Sequence, residues 1–490
     1  MRRLAAILTT LLIGYLLVSA LVRALVPPPS SVGFEGLWHP LVDAEFLADD
    51  SAIDATGQRR VDQEIFDRLF AMIAAARELV VLDLFLFNDW QGPVPETHRA
   101  LSAELVEALR AAREREPDLA VVFVTDPINE VYGGMHSTLI AALEAAGVSV
   151  VRTCLDTLQD SNPAWSGLYR LAIAPFGNAP GSLLPNPFGA GRVSLRSYFA
   201  LLNFKANHRK LVIADDGKGD LVALVTSANP HDGSSAHRNV ALGFAGDAVE
   251  ELLANEATLL DSCGAAEALA RLDGFLDPTV QRAPTGVPPS PDDAGQAAGI
   301  RVLGESAIQR AMLERIDALA AGDRLDMAMF YLADRDIVEA LVAARRRGAE
   351  MRLLLDINAD AFGREKNGVP NRPVAAELAA AGIEVRWCAT QGEQCHAKWL
   401  MTRQGDRADA FIGSANLTRR NLDDFNLELD VQVRAATSAA LVGEMLAWFE
   451  RQWQNGDGRQ RSLDYAARAD ESPWLEMQYR FMEATGLSTF

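Results

Sequence analysis

The chain carries one pattern twice, and that duplication restricts its fold more than any other feature. From Ile65 to Phe87 (IFDRLFAMIAAARELVVLDLFLF) a helical stripe of apolar residues runs into a short apolar strand pattern, and from Ile308 to Leu332 (IQRAMLERIDALAAGDRLDMAMFYL) the same order returns. In each half another helix follows (LSAELVEALRAAR, then DIVEALVAARRRG), and then a strand ending in an acid, Asp126 or Asp356. LIAALEAAGVSVVRTC and VAAELAAAGIEVRWC come next, and each half closes on a strand that opens with histidine. Strands alternating with helices predict an α/β fold of two duplicated α/β/α sandwich lobes. A chain of 490 residues also exceeds the roughly 250–300 residues at which a single core stops growing.

Proline and glycine cluster from Gln281 to Gly299 without apolar periodicity, which reads as a linker. The expected divisions are a first lobe over 35–280, a linker over 281–300 and a second lobe over 301–490. With Asp83 matched to Asp326, the first half is longer by about 55 residues, an insertion at about 155–205. From Ser161 to Ala214 no Asp or Glu occurs in a chain with 66 of them, while Arg170, Arg192, Arg196, Lys205, Arg209 and Lys210 are basic. Trp165, Tyr169, Phe176, Phe188, Tyr198, Phe199 and Phe204 lie in the same stretch. One reading is a lid or membrane-touching loop that offers aromatic side chains to an interface and cations to a phosphate. The other is a long loop packed over the second lobe.

Met1, Arg2 and Arg3 precede an uncharged apolar run of 19 residues, Leu4 to Val22, closed by Arg23 and Pro27-Pro28-Pro29. That is close to the roughly 20 residues needed to span a bilayer. Residues 1–26 are therefore expected to be a signal anchor or a cleaved signal peptide, Val18-Ser19-Ala20 being a candidate pre-cleavage sequence. The first reading places a single span in the cell membrane with the lobes outside the cytoplasm; the second gives a secreted or periplasmic protein. In such a compartment Cys388 and Cys395, of the four cysteines, could close a short loop before His396. The net charge of −20 repels nucleic-acid backbones and anionic bilayers at long range, so an anion must be bound locally.

His208-Arg209-Lys210 opens one apolar strand (HRKLVIAD) and His396-Ala397-Lys398 another (HAKWLM). Strand residues i and i+2 face the same side, so each histidine projects with its lysine. Downstream, Thr226-Ser227-Ala228-Asn229 matches Gly413-Ser414-Ala415-Asn416, with His to Asn spacings of 21 and 20 residues. Ten residues further stand Asn239 and Asn426. A phosphodiester resists attack until its charge is neutralised. Lys210 and Lys398, the amides of Asn229 and Asn416 and the hydroxyls of Ser227 and Ser414 could surround its oxygens. One imidazole could then attack phosphorus while the other donates to the leaving oxygen.

HRKLVIAD, with His208, Lys210 and Asp215, resembles the H-x-K-x4-D signature of the phospholipase D superfamily. HAK, GSAN and Asn426-Leu427-Glu428 resemble its second copy. The resemblance covers roughly residues 60–455 and implies one active site shared between the lobes, a covalent phosphohistidine and no metal or other cofactor. It assigns His208, Lys210, Asp215, His396 and Lys398 to catalysis, and Ser227, Asn229, Ser414, Asn416 and Glu428 to substrate binding. His208 is expected to be the nucleophile and His396 the acid/base. The second copy departs from the pattern at Arg403, where the acid should stand; Glu428, whose first-half counterpart is Ala241, could compensate. His39, His98, His136, His231 and His237 follow no repeated spacing and are expected to be structural or exposed. Asp126 and Asp356 suit helix capping or loop turns.

The leading expectation is a monomeric phospholipase D-type phosphodiesterase or phosphatidyltransferase at a membrane. It would hydrolyse a phospholipid head group, or transfer a phosphatidyl group to an alcohol as the family's cardiolipin synthases do. An exported metal-independent nuclease is an alternative against which the net charge argues. A degenerate, non-catalytic lipid-binding envelope protein is another, supported by Arg403 alone.

Overall fold

The computed structural model describes residues 2–25, 29, 31–92, 94–95, 97–276, 298–360 and 364–488. The expected linker, up to residue 297, lies outside the described residues. Two large sheets carry the duplication. The first runs Val42–Ile53, Asn239–Ala245, Leu221–Thr226, Lys210–Asp215, Leu79–Leu84, Ala120–Thr125 and Ser149–Arg152, with Arg59–Asp62 beside Val42–Ile53. The second runs Gly299–Leu303, Asp430–Ala436, Arg407–Gly413, Lys398–Gln404, Arg324–Met329, Glu350–Leu355 and Glu384–Cys388, with His39–Pro40 and Ser462–Asp464 at its edges. Seven strands thus repeat in the same order, one more at the start of each half than the sequence repeat suggests.

The parallel pairs are those joined through helices, such as Leu79–Leu84 with Ala120–Thr125 and Arg324–Met329 with Glu350–Leu355. These strands read as apolar runs because helices cover their outer faces: the helix Leu101–Arg115 buries Leu101, Leu105 and Leu109 in one lobe, and Arg335–Arg346 buries Ile337, Val338 and Leu341 in the other. The inner faces share one core. Val81, Ile213 and Val240 of the first sheet belong to the same buried cluster as Trp399, Ile412 and Val431 of the second. The lobes are therefore packed as interior against interior, and register then fixes the halves to one another. Leu84 pairs with Lys210 and Met329 with Lys398. Asp83 consequently occupies the place of Ala328, so its matching to Asp326 was out of register.

The insertion folds as the helices Pro163–Ala172 and Leu195–Leu201 with a two-strand ribbon, Leu184–Pro185 and Arg192–Val193. The cations expected to meet a phosphate are engaged locally. Arg170 and Lys205 both pair with Asp160, at 2.7 and 2.9 Å. Arg192 and Arg196 donate to backbone carbonyls, and Arg209 is fully buried against Glu256 and Glu305. The aromatic residues are mostly packed, Phe188 on Trp90 and Trp165 on Phe199; Phe176 is the large aromatic of this stretch that stands exposed.

Arg2–Leu25 forms a 24-residue helix that packs against Pro163–Ala172. Among the described residues no helix is long and apolar enough to cross a membrane, so the expected span is not shown. Within this helix the side chains of Arg2, Ala5, Ala6, Leu8 and Ala24 lie outside the described residues. Two disulfides are present: the expected Cys388–Cys395, and Cys154–Cys263, which spans 109 residues and which the sequence did not suggest.

Candidate active site

Each histidine sits just before the strand that bears its lysine, and its backbone is held by the opposite lobe. The His208 N–H donates to the Leu427 carbonyl at 2.8 Å and the His396 N–H to the Arg238 carbonyl at 2.8 Å. The preceding peptide is fixed from within the same lobe. Asp126 accepts from the Asn207 N–H at 2.6 Å and Asp356 from the Cys395 N–H at 2.7 Å. The two acids that end equivalent strands thus brace the two histidine peptides, a role more specific than capping alone, although Asp126 also caps the turn at Ile128. Burial raises Asp126 to about 7 and Asp356 to about 6, opposed by these N–H donors.

The lysines follow one rule. Lys210 Nζ donates to the His208 carbonyl at 2.6 Å and lies 5.2 Å from the Phe85 ring; Lys398 Nζ donates to the His396 carbonyl at 2.7 Å and lies 5.0 Å from the Phe330 ring. The same phenylalanines contact the imidazoles, at 4.7 Å for Phe85–His208 and 4.9 Å for Phe330–His396. Burial pulls Lys210 down to about 7, and burial together with Lys210 pulls Lys398 well below its usual value. Both histidines are pushed well below the ordinary imidazole range, by burial first and then by the lysine charges. They keep 8% and 7% exposure.

Behind the histidines the symmetry breaks. His208 Nδ1 lies 2.8 Å from Glu428 Oε1, whereas His396 Nδ1 lies 3.1 Å from Asn239 Oδ1. Ser227 N–H and Ser414 N–H donate to the carbonyls of Val240 and Leu429, and the Ser227 and Ser414 hydroxyls accept from the N–H groups of those same residues. Glu428 is therefore the counterpart of Asn239, not of Ala241. The pairing by spacing fails because the loop is two residues longer in the second half: Ser227 and Asn239 are 12 apart, Ser414 and Glu428 14. Ser227 Oγ donates to Asn239 Oδ1 at 3.0 Å, while Ser414 Oγ and Asn421 Nδ2 donate to Glu428. Burial raises Glu428 to about 7, with Lys210 the main opposing influence. Asn229 Oδ1 accepts from the Leu86 N–H at 3.3 Å, and Asn416 is buried.

Two expected roles are corrected. Asp215 lies five residues along the strand from Lys210, roughly 17 Å away at ~3.3 Å per residue. There its carboxylate accepts from the N–H groups of Arg77, Glu78, Leu79 and Gly217, at 2.8–3.1 Å. It ties a helix–strand turn to the strand end and does not reach the histidines. Arg403, at the same place in the second lobe, pairs with Asp326 at 2.8 Å. Its departure from the motif leaves the site untouched, which removes the only support for a degenerate protein.

One residue was missed. His237, expected to be structural or exposed, is buried with its ring 5.8 Å from that of His396. Its second-half counterpart by the corrected alignment is Asn426, so no repeated histidine marks it. Among the described residues there is no cluster of three or more His, Cys, Asp or Glu placed to hold a metal ion.

Two pseudo-symmetric His-Lys pairs thus stand at the junction of the duplicated α/β lobes. Residues 313–453 match the family model described as cardiolipin synthase, PLD-like domain. The structure is similar to phosphatidylserine synthase of Haemophilus influenzae Rd KW20, at 10% identity over 92% of this chain and 96% of that one, with a TM-score of 0.53. It also matches polyphosphate kinase of Porphyromonas gingivalis (14% identity, 91% of this chain, 53% of that one, TM-score 0.44). A further match is the phospholipase D family member Nuc of Salmonella typhimurium (20% identity, 34% of this chain, 97% of that one, TM-score 0.27). No curated protein matches the chain. The family match thus covers part of the second half of the chain, and the fold of both halves is similar to that of phosphatidylserine synthase.

Proposed function

We propose that this protein is a phospholipid phosphodiesterase or phosphatidyltransferase in which His208 is the nucleophile and His396 the acid/base. The observation that carries this assignment is the unequal support of the two imidazoles, a carboxylate on His208 and a neutral amide on His396. With Nδ1–H donated to ionised Glu428, His208 presents the lone pair of Nε2 to phosphorus, and the carboxylate stabilises the cationic phosphohistidine that results. As the Nε2–P bond forms, the P–O bond to the leaving alcohol breaks and His396 Nε2–H protonates that oxygen. Asn239 orients His396 without holding its proton by charge. Water or an alcohol then gives its proton to His396, attacks phosphorus and releases His208. Lys210 and Lys398 neutralise the non-bridging oxygens, and the entering anion offsets the lysine field that, after burial, keeps His396 neutral in the free protein.

A lipid substrate is supported by the uncharged run Leu4–Val22, which we take as the membrane attachment, and by its contact with the insertion. Transfer to an alcohol, as the description of the matched family suggests, and hydrolysis differ only in the acceptor. The test is product analysis with purified protein and mixed phospholipids in detergent, with and without glycerol and a chelator. Chelator-resistant release of head group, or a new phosphatidyl product, that is lost in His208→Ala supports the proposal. Absence of any lipid product, with cleavage of an oligonucleotide instead, refutes it.

A further inference from the structure

The C-terminal helix Pro473–Thr485 has two apolar faces, and only one is covered. Leu475, Tyr479 and Met482 pack on the second-lobe core, where Tyr479 donates its hydroxyl to the Ala333 carbonyl at 2.6 Å. Trp474, Met477 and Phe481, spaced to share the opposite face, are 67%, 54% and 57% exposed. Apolar residues scattered over a surface are ordinary, but a contiguous stripe of large ones marks a contact surface.

The neighbours of this helix indicate what covers it. Gly486, which ends the helix at φ 68°, lies so close to the Ser161 carbonyl that a Cβ would stand 2.6 Å from it. Ser161 leads into the insertion helix Pro163–Ala172, and that helix packs on the N-terminal helix: Gly167 faces Leu16 and Ser19, and Arg170 donates to Ser19 Oγ at 2.9 Å. One line of contacts therefore joins the N-terminal apolar helix, the insertion and the C-terminal helix. The insertion adds exposed Leu171, Phe176, Leu183 and Leu202 along the way. We infer that the Trp474–Met477–Phe481 face is an interfacial surface that lies in the head-group region of the bilayer to which the N-terminal helix is attached. This rests on the membrane reading proposed above. A tryptophan beside aliphatic and aromatic side chains suits that depth, since its ring is apolar and its N–H seeks a polar partner.

The end of the helix is also tied to the segment that supports Glu428. Arg419 donates to the carbonyls of Glu483 and Ala484 at the end of the helix, and Arg420 donates to those of Gly486 and Ser488. The next residue, Asn421, donates to Glu428.

The full chain reconstituted in vesicles of phosphatidylethanolamine and phosphatidylglycerol tests this. Both cysteine pairs are oxidised, so Met477→Cys and, as a control at an exposed loop, Lys218→Cys take a fluorophore selectively. Brominated acyl chains are expected to cut the emission at position 477 by at least half and leave position 218 unchanged. Equal emission changes at the two positions, or self-quenching at 477 between copies without lipid quenching, would overturn the inference. Trp474→Ser with Phe481→Ser is expected to lower turnover on vesicles about tenfold while sparing a monomeric short-chain lipid; an equal loss on both substrates counts against it. Should the protein prove inactive on every lipid, the quenching experiment still decides the interface, separately from the proposed activity.

Discussion

Glu428 of the second lobe supports His208 of the first at 2.8 Å, while the position equivalent to Glu428 in the first lobe, Asn239, supports His396. The duplication thus supplies two histidines, and the difference of one side chain is what divides their work in the proposed mechanism. Replacing Glu428 with Gln is expected to lower kcat by about 10²–10⁴-fold by slowing formation of the covalent intermediate. Intact-mass analysis after rapid quench checks this: with a substrate whose leaving group needs no proton, such as a nitrophenyl ester, His396→Ala should accumulate an adduct on His208, Glu428→Gln should form it far more slowly, and His208→Ala should show none.

The pH dependence follows from the same carboxylate. Burial raises Glu428 to about 7, and only its ionised form stabilises the imidazolium, so kcat/KM should rise with pH up to about 7. Lys210, drawn down to about 7 by burial, loses its charge in the other direction, which gives a falling limb. In Glu428→Gln the residual rate should lack the rising limb and keep the falling one. A rising limb that survives the substitution would assign it to another group.

Asp215→Asn should cost stability and not chemistry. Its carboxylate satisfies four backbone N–H groups far from the histidines. The amide substitution weakens these charge-assisted bonds by about 1–3 kcal/mol, seen as a lower Tm, with kcat per folded molecule unchanged. Arg403→Asp, which would restore the motif, is expected to gain no activity and to lose stability, because Asp326 would then face a like charge instead of a partner at 2.8 Å.

The two disulfides should differ in weight. Closing 109 residues, Cys154–Cys263 constrains the unfolded chain by about 4–5 kcal/mol, against about 2 kcal/mol for the short loop of Cys388–Cys395. Paired alanine substitutions followed by denaturant titration should show the larger loss for the first. The second should act instead on His396, whose peptide Cys395 precedes.

Much of the architecture was legible because apolar periodicity reports strands and helices locally, and the two copies check one another at His208–Lys210 and His396–Lys398. What was not legible depended on changes of length or on contacts across the chain. Two extra residues before Glu428 displaced the spacing match to Asn426. Asp215 sits inside the signature, but a strand carries it out of reach of the histidine. Cys154 and Cys263 lie too far apart for spacing to join them, and His237 has no histidine counterpart to flag it.

Because the N–H of each histidine is clasped by the lobe that does not own it, neither half of the chain completes the setting of its own histidine. A first lobe emerging before the second would hold His208 without the Leu427 carbonyl and without Glu428. The two histidines therefore come into their paired setting only when the last strands of the second lobe dock, so on the proposed mechanism a half-made chain would carry no activity.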